Sequence, residues 1–177
     1  TVRALAAFSE PQVRERLASF GFDHERIELA GRTPGLGAHL AQYARMDIAL
    51  DTFPYHGTTT TCEALWMGRP VVTLAGDRHM SRVGISLLTA AGHPGWVAGD
   101  WREYVRIAAG VAADPPRLAE ISAALRADMA GSPLLDHAGQ ATRFGAALRG
   151  CWAEWCTGKG PARETEDLTS ASPAMCR

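Results

Sequence analysis

Apolar positions recur along this chain first with helical and then with strand spacing, and the two alternate. Pro11, Val13, Leu17 and Phe20 have helical spacing with Pro in the first turn, and Gly21 is the expected stop. Arg26 to Leu29 reads as a short strand. The Gly- and Pro-rich GRTPGLG, residues 31–37, reads as a loop, and His39 to Met46 as a short helix running into a strand over Asp47 to Leu50. A small-residue loop follows, then a helix over Thr59 to Met67 closed by Gly68 and Pro70. Val71, Val72, Thr73 and Leu74 form a nearly continuous apolar and β-branched run, as a parallel strand covered on both faces requires. Ser81 to Ala91 is expected as a helix with Val83, Leu87 and Ala90 on one side, ended by Gly92, and Trp96 to Ala98 as a short strand.

Beyond Asp100 only helical stripes remain: Trp101, Tyr104, Ala108 and Val111; Leu118, Ile121, Leu125 and Met129; Ala141, Phe144, Leu148, Trp152 and Trp155. Core packing is the simplest role for them. From Thr157 onward periodicity disappears. One organised domain is therefore expected over residues 1–156 and a disordered tail over 157–177. The alternation implies an α/β fold: a Rossmann-like parallel sheet with helices on both faces, followed by C-terminal helices. Such sheets bind ligands at the carboxyl ends of their strands.

Composition narrows the classes. With 177 residues, 46% of them hydrophobic and 21% charged, the chain can bury a core. A formal net charge of −1 and the lack of any Lys/Arg run argue against nucleic acid and against an anionic membrane surface. No stretch approaches the roughly 18 consecutive apolar residues of a membrane span, and no signal-peptide pattern opens the chain, so a cytoplasmic protein is expected. Cysteines at 62, 151, 156 and 176 fit neither a zinc site nor a disulfide framework, and no His, Cys or carboxylate group has metal spacing. No cofactor and no metal are expected. The chain starts at Thr1 with the apolar VRALAAF, which suggests a piece of a longer protein.

The chemistry concentrates between Asp51 and His79, in DTFPYHGTTTTCEALWMGRPVVTLAGDRH, at the carboxyl end of a strand. Gly57 lets the backbone approach a ligand. Thr58, Thr59, Thr60 and Thr61 place hydroxyls beside the unpaired N–H groups of a helix start, and that combination suits a diphosphate. Glu63, about one turn on, is placed to accept from ribose hydroxyls. Ordinary helix capping by one Thr, and a first-turn carboxylate complementing the helix dipole, are the structural alternatives. Tyr55 and His56 flank the loop, and His79 and Arg82 begin another helix beyond a strand end; these four are candidates for contact with a sugar or an acceptor. No residue declares itself as the catalytic base.

The segments DIALDTFPYHGTTTTCEALWMGRPVVTLAGDRHMSRVG, SPLLD and the closing CWAEWC resemble, in order and spacing, bacterial members of the protein O-GlcNAc transferase family, two-lobed GT-B glycosyltransferases. The resemblance runs from about Arg26 to Cys156. It implies a C-terminal lobe that holds UDP, with a separate N-terminal lobe and tetratricopeptide repeats as partners in the complete protein. By the same comparison Thr59 and Thr60 would bind the diphosphate, Glu63 the ribose and His39 would pack near the uracil, with the backbone at Thr33 and Pro34 meeting the base edge. The implied reaction is metal-independent, inverting transfer of N-acetylglucosamine from UDP to Ser or Thr hydroxyls of a protein or peptide acceptor. Animal members carry Asp at the position of Glu63, His at that of Thr58, Lys at that of Leu36 and Arg at that of Gln42. Losing those two cations leaves open a nucleotide-sugar-binding module without catalysis, and a transferase with another sugar or acceptor is a further alternative.

Overall fold

The computed structural model describes residues 2–5, 10–31 and 33–158. Residues 159–177, nearly all of the expected tail, lie outside them. The order is β1 (Val2–Leu5), α1 (Glu10–Ser19), β2 (Ile27–Ala30), α2 (Leu36–Ala41) with a 3-10 turn at Gln42–Arg45, β3 (Ala49–Leu50), α3 (Thr59–Trp66), β4 (Val71–Leu74), a 3-10 turn at His79–Ser81, α4 (Val83–Ala90), β5 (Val97–Ala98), α5 (Trp101–Ala112), α6 (Pro115–Gly131) and α7 (His137–Cys156).

All pairings are parallel, with β1 beside β2 in one sheet and β3-β4-β5 in another. The short β3 is prolonged by Asp51, whose N–H donates to Val72 O at 2.9 Å, so Asp51 marks the carboxyl end of that strand. β1 was not expected from the sequence: four residues with no turn signal around them carry too little pattern, and only the register Val2↔Ile27 to Leu5↔Ala30 defines it.

β4 shows why its four residues are apolar or β-branched. Successive side chains point to opposite faces. Val71 joins Tyr43, Ala64, Leu65, Leu88, Ala91, Leu125 and Met129 on one face, a core supplied by the 3-10 turn after α2 and by α3, α4 and α6. Val72 and Leu74 meet Ala98, Tyr104 and Ile107 on the other, under α5. All four residues of β4 are buried, so Thr73, the one polar member, needs a hydrogen-bonding partner inside.

Gly21, Gly68 and Gly92, read as helix stops, sit at φ of 83°, 74° and 86°, the left-handed region glycine enters freely. Residues up to Leu135 form one compact unit and those from Asp136 another. The second is α7, a 20-residue helix none of whose residues is buried; Phe144, Leu148, Trp152 and Trp155 are 61%, 55%, 67% and 64% exposed. The core role expected for that stripe is therefore not realised within the described residues.

Candidate functional site

Asp51 anchors the loop that runs from the end of β3 to α3. Its Oδ1 accepts the Gly57 N–H at 2.8 Å, and its Oδ2 accepts the Thr73 hydroxyl at 2.7 Å. Thr73 thus finds the partner its burial requires. His56, 1% exposed, lies in the same cluster: Nε2 donates to Leu74 O at 2.9 Å, Nδ1 accepts the Gly84 N–H at 3.0 Å, and Nδ1 stands 3.5 Å from Asp51 Oδ2. This bonding pattern sets the ring as the tautomer protonated on Nε2. From α5 the Tyr104 hydroxyl donates to Asp51 O at 2.8 Å; burial, and then the Asp51 charge, push that phenol up to about 12. Gly84 is required here, because a Cβ on it would stand 2.8 Å from Asp51 Oδ2 and closer still to Thr73 Oγ1.

His56 was expected to face a sugar or acceptor. It faces inward instead, with both ring nitrogens engaged by backbone, because the loop needs an internal polar peg between β4 and α4. Its own N–H donates to Met80 O at 2.9 Å, which ties the loop to the 3-10 turn carrying His79.

The outward side differs. Thr58, at φ −109° and ψ −74°, is the N-cap of α3, yet its side chain makes no capping bond. Thr58, Thr59 and Thr60 are exposed, and none of their hydroxyls has a partner among the described residues. Thr61 is spent internally, its buried hydroxyl donating to Gly57 O at 3.0 Å. The first N–H groups of a helix have no intrahelical acceptor, so this start presents free amides together with three free hydroxyls.

Glu63 lies one turn on. Its Oε2 receives His39 Nε2 at 2.9 Å and the Tyr43 hydroxyl at 3.0 Å, and Tyr43 also reaches Thr60 O at 3.3 Å. Burial foremost, then the hydrogen bond to Glu63 and its charge, raise the Tyr43 pKa well above the usual phenol value. The structure thus brings Thr58, Thr59, Thr60, Glu63 and His39 to one end of the sheet. It adds Tyr43, which sequence reasoning missed; its spacing of four from His39 on one helical segment was the available signal.

Pro34 is exposed at the turn before α2. Tyr55 is 70% exposed, with its carbonyl accepting the Thr52 hydroxyl. His79 and Arg82 do come together: with Val83, Ser86 and Leu87 they line a cavity of about 190 Å³, and the Arg82 guanidinium donates to Gly76 O at 3.0 Å. A larger cavity of about 520 Å³, lined by Asp47, Ile48, Arg69, Leu118 and Ser122 among others, opens at the amino ends of β3 and β4. That is the pole where parallel sheets do not place their ligands. The chemistry therefore sits on an open face rather than in the larger hollow.

A family model, glycosyl transferase family 41, matches residues 2–143. The chain belongs to that family. Within it, the chain is 43% identical over 157 residues to the rice (Oryza sativa subsp. japonica) protein named "Probable UDP-N-acetylglucosamine--peptide N-acetylglucosaminyltransferase SPINDLY", covering 89% of this chain and 17% of that protein. Identity to the Arabidopsis thaliana protein of the same name is 41% over 146 residues, 82% of this chain and 16% of the other. A solved mutant of the Thermobaculum terrenum O-GlcNAc transferase superposes with a TM-score of 0.79 at 35% identity, over 88% of this chain and 31% of that one. The family-41 chain thus has the fold expected from its sequence, while spanning about a sixth of the length of the plant relatives. No helix among its described residues is long and apolar enough to cross a membrane.

Proposed function

We propose that this chain is the UDP-binding lobe of a protein O-GlcNAc transferase, using UDP-N-acetylglucosamine as donor and Ser or Thr hydroxyls of a protein or peptide as acceptors. The observation that carries the reading is the uncapped start of α3, with exposed Thr58, Thr59 and Thr60 beside the Glu63 carboxylate. Free amides and hydroxyls at a helix N-terminus stabilise negative charge, and the charge that grows on a leaving diphosphate is what a displacement at the anomeric carbon must stabilise. In this reading Thr59 and Thr60 hold the diphosphate, Glu63 the ribose, and the α2 segment with His39 and Pro34 lies near the base. Tyr55, His79 and Arg82 remain candidates for the sugar or acceptor. His56 and Asp51 act by holding the loop in place.

The base that activates the acceptor is assigned to parts outside this chain, an N-terminal lobe and tetratricopeptide repeats, in keeping with the small share of its relatives that it spans. The isolated chain is then expected to bind UDP with little turnover. Isothermal titration with UDP tests this, and no heat from folded protein at millimolar ligand would overturn it. A second reading, a nucleotide-binding module without catalysis, is favoured by Leu36 and Gln42, apolar and neutral residues where animal members carry cations. Transfer assays on the longer protein with UDP-N-acetylglucosamine and with other nucleotide sugars separate the two.

A further inference from the structure

The two oxygens of Glu63 are used unequally. Oε2 takes both His39 and Tyr43, whereas no hydrogen bond among the described residues reaches Oε1. The Glu63 side chain is 19% exposed, and Oε1 is not among the fully buried polar atoms left without a partner. One oxygen is pinned and the other is presented.

The two groups that do the pinning are not equivalent. The His39 side chain is 35% exposed. Tyr43 is only 7% exposed and belongs to the core with Ala64, Leu65, Val71 and Leu88. It also supports His39, edge-on to its ring at a centroid distance of 5.8 Å and an interplanar angle of 89°. A phenol seated in a close-packed core is a fixed peg. Burial foremost, then the hydrogen bond to Glu63, raise its pKa, and its hydroxyl donates to Glu63 Oε2 at 3.0 Å. A free glutamate has three rotatable bonds and loses side-chain entropy when ordered; a carboxylate already held loses less on binding.

We propose that Tyr43 is a positioning residue for pentose recognition: its core-anchored hydroxyl holds Glu63 Oε2 so that Oε1 is presented to a ribose hydroxyl. This rests on the nucleotide reading above and extends it to a residue that touches no ligand. Its action should appear only with ligands that carry ribose hydroxyls.

The test is titration of the chain, and of its Tyr43→Phe variant, with UDP and with 2′,3′-dideoxy-UDP. Tyr43→Phe keeps the ring and removes only the hydroxyl. We expect it to weaken UDP by about 3- to 10-fold, the size of a lost hydrogen bond to a charged group acting indirectly, and to change dideoxy-UDP by less than about twofold. In a Glu63→Ala background the same substitution should change UDP affinity by less than about twofold, as a double-mutant cycle requires. Equal weakening of both nucleotides would make Tyr43 a packing residue and overturn the proposal, as would an unchanged UDP affinity or an effect that persists without Glu63. Failure of the unsubstituted chain to bind UDP would sink the nucleotide reading itself, and this one with it; binding with no response to Tyr43→Phe sinks this one alone.

Discussion

Four helix starts fall into two kinds. α5, α6 and α7 each begin behind an aspartate, Asp100, Asp114 and Asp136, whose carboxylate accepts the N–H three residues on, from Glu103 at 2.8 Å, Arg117 at 3.0 Å and Gly139 at 2.9 Å. α3 begins behind Thr58 with three further threonines at hand, and no side chain caps it. An aspartate cap satisfies the first amides and neutralises the positive end of the helix dipole, which is what a structural helix needs. Leaving α3 uncapped forgoes about 1 kcal/mol of local stability and keeps its amides and positive end open to an anion. α2 and α4 also start without a side-chain cap, so what sets α3 apart is an open start combined with the unpartnered hydroxyls of Thr58, Thr59 and Thr60 and the nearby Glu63 carboxylate.

The most direct way to break the contrast is to make α3 resemble the others. Thr58→Asp should cap α3 and raise stability by about 0.5–1 kcal/mol, while its like charge lowers UDP affinity by about 100-fold or more. Denaturant melts and titration read the two effects, and a Thr58→Asp protein that binds UDP normally would show that the α3 start is not the diphosphate site. The reciprocal change, Asp100→Ala, removes a purely structural cap. It should cost about 1 kcal/mol of stability and leave UDP affinity within about twofold, so a large affinity loss would show that α5 takes part in binding.

The smallest effect is local. The Gly139 N–H foremost, then the Arg143 guanidinium, hold the Asp136 carboxyl below its ordinary range. A depressed folded value means that the contribution is present above the unfolded pKa of about 4 and is lost as pH falls through the lower folded value. Amide exchange in the first turn of α7 should therefore speed up, relative to its intrinsic rate, as the solution is acidified through that window. Unchanged protection there would show that the cap carries no local stability.

Much of this architecture was legible in order and spacing. Val71 to Leu74 announced a strand covered on both sides, and both sides are covered. Glycines 21, 68 and 92 announced helix ends, and all three adopt positive φ. The threonine run and Glu63 stood out because a loop, hydroxyls, a helix start and a carboxylate occur within a few residues of one another. The inward turn of His56 was not legible, since a histidine in an exposed-looking loop has the same local pattern whichever way it faces. Neither was Tyr43, whose partners Thr60 and Glu63 are 17 and 20 residues away.

What this sequence determined by itself is local: periodicity, glycine stops, β-branched runs and the close succession of Thr58, Thr59, Thr60 and Glu63, because each depends on neighbours in the chain. Tertiary structure alone decided which polar groups are spent and which are free. Asp51, Thr73 and His56 satisfy one another only because β3, β4 and α4 bring them within hydrogen-bonding reach. Among the described residues the hydroxyls of Thr58, Thr59 and Thr60 and one oxygen of Glu63 find no such partner, and hydrogen-bond saturation is a property of the packed fold and not of any stretch of residues.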